Sequence, residues 1–258
     1  MELKAKPKRM VRPDVVSRAM TIASLPTNDK VQLERAVHRY LSDRSPRVRA
    51  SAVDVVRKEQ IRELEAEVIQ LLNDTSSHVR YAAVECLGSL NEGQKTPAPF
   101  LYPRLIDSHH LVRIESLESL ALIQDSSALS LSLVADRLQD DDPLVRSYAA
   151  WCIAELDGRQ YIEAIRSKAH TEQSDIAKVG YAEALFAFGD AEQFQTLVNF
   201  LSSPDYLIRC ASANALGAAK LTSDQLRDVV KAVSFAAKNS LFRADRTTME
   251  RVQMELQV

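Results

Sequence analysis

The sequence predicts an all-α protein, a curved α-solenoid of stacked antiparallel helical hairpins, and three observations carry that prediction. Glycine and proline number only six and nine among 258 residues, and few β-branched runs alternate with polar residues, so local propensity is helical almost throughout. A short pattern recurs every 31 to 33 residues. Second amphipathic segments lie between its copies, so each unit reads as a hairpin that cannot bury its apolar face alone and must stack on its neighbours.

The recurring pattern is clear in "LSDRSPRVRASAVDVV" from Leu41, "LNDTSSHVRYAAVECL" from Leu72, "LIDSHHLVRIESLESL" from Leu105, "LQDDDPLVRSYAAWCI" from Leu138 and "LSSPDYLIRCASANAL" from Leu201. Each copy has Val or Ile followed by arginine: Arg49, Arg80, Arg113, Arg146 and Arg209. A degenerate copy, "HTEQSDIAKVGYAEAL", fills the one long gap and places Lys178 in the arginine column. Six residues before each basic residue stand Asp43, Asp74, Asp107, Asp140, Glu172 and Ser203, five of them acidic. This Asp–Arg pairing predicts a structural ladder of hydrogen bonds between repeats.

Three residues before the Val/Ile column stand Ser45, Ser76, His109, Asp142, Ser174 and Asp205, and five of these six are strong N-cap types. Pro46 and Pro143 follow two of them at the first helical position, where the missing N–H costs nothing. A helix, here called helix B, therefore starts at the same place in every repeat. Helix A of the hairpins is read from segments such as "EQIRELEAEVIQLL" (59–72), "SSALSLSLVADRLQ" (126–139) and "DAEQFQTLVNFL" (190–201).

The whole chain, 1–258, reads as one solenoid domain: an N-terminal cap with a basic tail over 1–40, six repeats over 41–217, and a C-terminal capping hairpin over 218–258. "PDVVSRAMTIASL", with Arg18, reads as a degenerate helix B. "NEGQKTPAPF", Asn91 to Phe100, is the one Pro/Gly-bearing interruption and reads as a longer connection.

With its D-x-x-x-x-V-R-x-x-A core, the region from Leu41 to Gly217 resembles the HEAT-repeat superfamily, in particular the short repeats of the bacterial and phycobilisome-lyase type. The ankyrin T-P-L-H signature and the tetratricopeptide W-x-x-L-G-x-x-Y spacing are both absent. The resemblance implies a right-handed superhelix whose concave face is lined by the B helices.

Numbering helix B from its Val/Ile residue as zero, at about 100° per residue, groups offsets 0, 4, 5, 7 and 8 into a buried stripe. Ala52, Ala83, Ala149, Leu87, Leu117 and Ile153 fall there, as do Cys86 and Cys152. Offsets 2 and 6 point away and would form a ladder along the groove. Offset 6 holds Asp54, Glu85, Glu118, Trp151, Glu183 and Asn214; offset 2 holds Ala50, Tyr81, Ile114, Ser147, Val179 and Cys210. Candidate partner-binding residues are therefore Trp151, Tyr148, Tyr81, Ile114, Asp54, Glu85, Glu118, Glu183 and Asn214. Trp151 is the chain's single tryptophan. It lies either on the next repeat as a packing residue or in the groove as a hot spot for a partner with basic and apolar character.

Composition and motifs narrow the chemistry. A net charge of −2 gives no global basic field, and an acidic offset-6 column is the wrong sign for nucleic acid. The basic tail (Lys4, Lys6, Lys8, Arg9, Arg12) reads as solubilising or electrostatic. No apolar run is long enough for a membrane span, and the N-terminus lacks a signal-peptide apolar region, so the cytoplasm is the expected location. Cys86, Cys152 and Cys210 are odd in number without C-x-x-C spacing and read as free thiols.

No histidine pair has metal-ligand spacing, and no His-Glu dipeptide of the HEAT-like hydroxylase type occurs. G-x-S-x-G, Walker and G-x-G-x-x-G motifs are also absent, so no cofactor and no catalytic residue is expected. The leading reading is a non-catalytic scaffold, adaptor or inhibitor (an immunity or assembly protein, for example) holding another protein in its groove. A second reading comes from "VRSYAAWCIAEL", which is similar to the Y-A-A-W stretch of bilin-handling HEAT-like lyase subunits; that resemblance implies a tetrapyrrole on which Tyr148 and Trp151 stack. A HEAT-like DNA-binding protein or glycosylase is the third.

Overall fold

A computed structural model describes residues 30–239 and 243–256. The basic tail from Lys4 to Arg12 and the segment bearing Arg18 lie outside the described residues. The fold is an all-α solenoid; among the described residues there are thirteen α-helices, four short 3-10 helices and no strand. None of these helices is long and apolar enough to cross a membrane. The chain divides into two compact units, residues 1–93 and 94–258, with the division inside the Pro/Gly-bearing segment.

The first unit contains α1 (Lys30–Leu41), α2 (Pro46–Lys58), α3 (Glu65–Leu71) and α4 (Ser77–Leu90). Helix α1 buries Leu33, Val37 and Leu41, an i, i+4, i+8 stripe, against α2. Helices α2 and α4 pack side by side, with Val48 and Val79 fully excluded from solvent. Each such valine contributes about 1.5–3 kcal/mol relative to an exposed one.

The second unit contains α5 (His110–Ile123), α6 (Ala128–Asp136), α7 (Pro143–Glu155), α8 (Ile162–Thr171), α9 (Asp175–Ala187), α10 (Gln193–Phe200), α11 (Tyr206–Ala218), α12 (Ser223–Asn239) and α13 (Arg243–Glu255). Helices α5, α7, α9 and α11 are the B helices, and α6, α8 and α10 are A helices. Ahead of α5 the A helix is reduced to a 3-10 helix, Tyr102–Ile106, because Pro97, Pro99 and Pro103 remove backbone donors. Buried Asp125 pins this segment instead, accepting from the Ala98 N–H (2.9 Å) and the Tyr102 hydroxyl (2.7 Å). At the far end, Val229, Val233, Met249 and Val252 of α12 and α13 close a core with Leu197, Leu201 and Leu216.

Every B helix starts after the position anticipated from its cap type, but only half of those side chains cap. Asp142 and Asp205 accept from Leu144 N–H (2.8 Å) and Leu207 N–H (2.9 Å), and His109 accepts from Leu111 N–H. Ser45, Ser76 and Ser174 make no cap hydrogen bond. In those turns the acid two residues earlier, Asp43, Asp74 or Glu172, holds the serine N–H at 2.8, 2.8 and 2.9 Å.

The arginine column makes two kinds of contact. Within a repeat, each arginine donates through Nη1 to the carbonyl six residues back: Arg49 to Asp43, Arg80 to Asp74, Arg113 to Asp107, Arg146 to Asp140 and Arg209 to Ser203. Between repeats, Arg49 grips Asp74 with two bonds of 2.7 Å, Arg113 meets Asp140 at 2.7 Å, and Arg146 grips Glu172 at 2.8 and 2.9 Å. Lys178 has no planar fork and pairs with Asp175 on its own helix at 3.0 Å.

Charge follows this geometry. The Arg146 guanidinium holds Glu172 down to about 2, against the smaller opposing effect of burial. Burial on its own raises Asp74, but hydrogen bonds from Arg49 and the Ser76 N–H outweigh it and leave the carboxyl below its ordinary value.

Offset 2 departs from expectation. Ala50, Ile114, Ser147 and Val179 are buried there, Ile114 with 6% of its surface exposed; Tyr81 and Cys210 are half-buried. Neighbouring B helices pack laterally as well as onto their A helices, so the covered arc is wider than one helix face. Gly180 of α9 shows the cause: a Cβ there would lie 2.6 Å from Cα of Ser147. The offset-3 residue of one helix thus sits directly on the offset-2 residue of the helix before it.

Candidate functional site

A groove of about 790 Å³ runs over α7, α9 and α11 of the second unit. Its position follows from lateral packing of the B helices. With offset 2 covered, the open surface of each helix narrows to a strip centred on offset 6.

Helix α7 contributes Tyr148 and Trp151, one turn apart, with ring centroids 6.0 Å apart at 71° in an edge-to-face pair. Helix α9 contributes Ile176, Val179 and Glu183, helix α11 Leu207, Ile208, Ala211 and Asn214, and Glu118 of α5 closes one side. Trp151 is half-buried and lines the groove.

The acids of the lining are Glu118, Asp175, Glu183 and Asp205, and no Lys, Arg or His lines it. Asp175 is matched by Lys178 and Asp205 caps α11. Glu183 accepts no hydrogen bond and pairs with no cation among the described residues. Burial among its apolar neighbours, with a smaller push from Glu155, raises its carboxyl to about 7. Burial, then Glu118, Glu183 and Glu115, pushes the Tyr148 phenol up to about 12, so it stays a neutral donor at neutral pH.

Of the candidate partner-binding residues, the structure gathers Tyr148, Trp151, Glu118, Glu183 and Asn214 around one groove. Asn214 is already engaged, its Oδ1 accepting from Arg251 Nη2 at 2.7 Å. Asp54, Tyr81 and Glu85 are half-buried on the first unit, where Glu85 pairs with Arg57 at 3.5 Å. Ile114 is a core residue of α5 and is no groove residue.

Sequence reasoning missed one column. The residue just before the Val/Ile position, at offset −1, lies at about 260° and so beside offset 6 at about 240°. It is Leu144, Ile176 and Leu207 around the groove, with Leu111 one repeat earlier. Leu111 is 44% and Leu207 54% exposed. The first unit has Arg47 and His78 at this offset. The signal was available as four successive aliphatic residues in a column that a solvated face would fill with polar side chains.

No His, Cys, Asp or Glu cluster suited to a metal ion occurs among the described residues. Cys86 and Cys152 are buried, the former raised to about 12 by burial and the latter raised further in the same direction; Cys152 donates to the Leu117 carbonyl at 3.3 Å. These thiols are packing groups.

Among known proteins, the model of the family described as HEAT repeats matches residues 33–121 and again 98–185. Among solved structures, the chain is similar to the complex of CpcE and CpcF of the phycocyanin lyase from Nostoc sp., at 13% identity over 99% of each chain with a TM-score of 0.63. It is also similar to YibA of Escherichia coli, at 14% identity over 98% of this chain and 99% of that one, with a TM-score of 0.50. At such identities these likenesses show the fold alone. No curated protein sequence matches the chain.

Proposed function

Because the chain belongs to the HEAT-repeat family, we propose that it is a non-catalytic binding module which holds another protein in the groove of its second unit. The observation that carries this reading is the groove itself, where the chain's single tryptophan stands among aliphatic side chains and acids with no cationic side chain in the lining. A large aromatic in a pre-formed concavity is the usual anchor of a protein interface. A rigid stack of helices loses little conformational freedom on binding, so contact energy is retained as affinity. The acidic lining favours a partner with a basic surface. An adaptor, an assembly factor and an inhibitor of the immunity type all use such a surface.

The test is affinity capture from native extract with the wild type and Trp151→Ala, both shown by thermal melting to be folded. A partner retained by the wild type in stoichiometric amount and lost by the variant supports the reading. Equal retention by both removes the groove from it.

A second reading is supported by the likeness to the phycocyanin lyase complex: a tetrapyrrole-handling subunit with a planar ligand on Tyr148 and Trp151. The groove volume lies within the range of small-molecule sites. A tetrapyrrole absorbance band in purified material, or its growth on adding a bilin, distinguishes this reading from the first. A DNA-binding or glycosylase role is disfavoured by the acidic lining, and salt-sensitive duplex binding would be its sign.

A further inference from the structure

We propose that the groove recognises a short apolar segment carrying one arginine or lysine, whose cation sits against Glu183 beside Trp151 while its apolar side chains lie along Leu144, Ile176 and Leu207. This deepens the proposed function and rests on it.

Three observations point to the same occupant. Glu183 has no partner among the described residues, although it is set among apolar groups where an unpaired carboxylate is costly. The other acids near it are engaged locally or stand on another helix. Asp175 is paired with Lys178, Asp205 caps α11, Glu118 stands across on α5, and Glu155 lies further along α7. A cation delivered by a partner would therefore meet Glu183 without displacing an existing bond.

The second observation is the indole of Trp151, which lines the same groove as that carboxylate and makes an edge-to-face pair with Tyr148. An aromatic face and a carboxylate together suit a guanidinium or ammonium better than either alone. The third is the aliphatic rail. Leu207 is 54% exposed, and its column neighbours Ile176 and Leu144 also face the groove. Aliphatic residues that face the groove in register over three successive B helices, Leu207 exposed and Leu144 and Ile176 half-buried, match a segment with apolar side chains, where a purely polar basic tail would leave them wet.

Occupancy would also be coupled to the protonation of Glu183. Unoccupied, Glu183 is held near neutrality by burial, then by Glu155. An arriving cation stabilises the carboxylate, so binding releases a proton below about pH 7 and is favoured above it.

The experiment uses Trp151 as its own reporter, since no other tryptophan is present. The probes are three short acetylated, amidated peptides, identical apart from a central residue of arginine, glutamine or glutamate and flanked by leucines. The expected result at pH 8 is that the arginine peptide shifts Trp151 emission and binds about tenfold more tightly than the glutamine peptide, a difference on the order of 1.4 kcal/mol. The preference should fall to within about twofold in Glu183→Gln, and should shrink for the wild type at pH 6.

The proposal is overturned if no peptide binds, if arginine and glutamine peptides bind equally, or if the preference survives in Glu183→Gln. Failure of the underlying reading shows elsewhere, as capture of the native partner that is unaltered by Trp151→Ala.

Discussion

Arg146 of α7 holds Glu172, at the end of the following A helix, through two hydrogen bonds of 2.8 and 2.9 Å, and Glu172 in turn accepts from the Ser174 N–H that opens α9. One carboxylate thus joins two repeats and starts the next helix. Its folded value of about 2 lies below the ordinary 4.5, so its contribution is fully present above pH 4.5 and is lost as pH falls towards 2. Glu172→Gln should lower stability at pH 7 by about 1–3 kcal/mol. The gap between variant and wild type should narrow in urea melts as pH drops below 4.5.

Gly180→Ala should be among the more damaging single-methyl additions in the chain. The new Cβ would meet the backbone of Ser147, which cannot rotate away. A cost of about 1–3 kcal/mol is expected. At Gly217 the corresponding Cβ would meet the side chain of Val252, nearest at Cγ1, 3.2 Å away, so Gly217→Ala should cost less. Thermal melting of the two variants side by side checks the ranking.

The sequence revealed some of these relationships and hid others, for physical reasons. The B helices were legible because their start is written into several columns at once: an acid, a cap type, Val or Ile, and arginine. The A helices were legible in existence but not in extent; "EQIRELEAEVIQLL" becomes a 3-10 turn, Arg62–Leu64, and then α3 from Glu65 to Leu71. Burial of Ile114 and Ser147 was illegible because it is decided by the neighbouring helix, and a single-helix projection contains no neighbour. The same projection did contain Leu144, Ile176 and Leu207 beside Trp151, but only once offset 2 is covered does that strip become the open face.

Glu183 sets an opposite pH dependence to Glu172. Its folded value of about 7 lies above the ordinary 4.5, so the folded state holds an extra proton between these limits. The benefit is present below pH 4.5 and is lost as pH rises to about 7. Glu183→Gln should therefore be more stable than the wild type at pH 8, by about 1–2 kcal/mol, and nearly equal to it at pH 4.5. Calorimetry at the two pH values checks the sign, with about 2–4 °C expected per kcal/mol.

The three thiols should separate by accessibility. Cys86 and Cys152 are buried with raised thiol values, whereas Cys210 is half-buried on α11. A colourless disulfide reagent at pH 8 should modify Cys210 first, and the other two only at the rate of unfolding. Mass mapping of the first modified peptide identifies the site.

On the proposed function, the groove around Trp151 is where the chain meets its partner. The most direct measurement places a photo-crosslinking amino acid at position 144 and another at position 106, the latter being Ile106, which is 69% exposed and lies outside the groove lining. After irradiation in native extract, cross-linked products are identified by mass spectrometry. One dominant adduct is expected from position 144, absent from position 106 and lost when Trp151→Ala is added. An adduct that forms equally from both positions, or that survives the loss of Trp151, would contradict the proposed function.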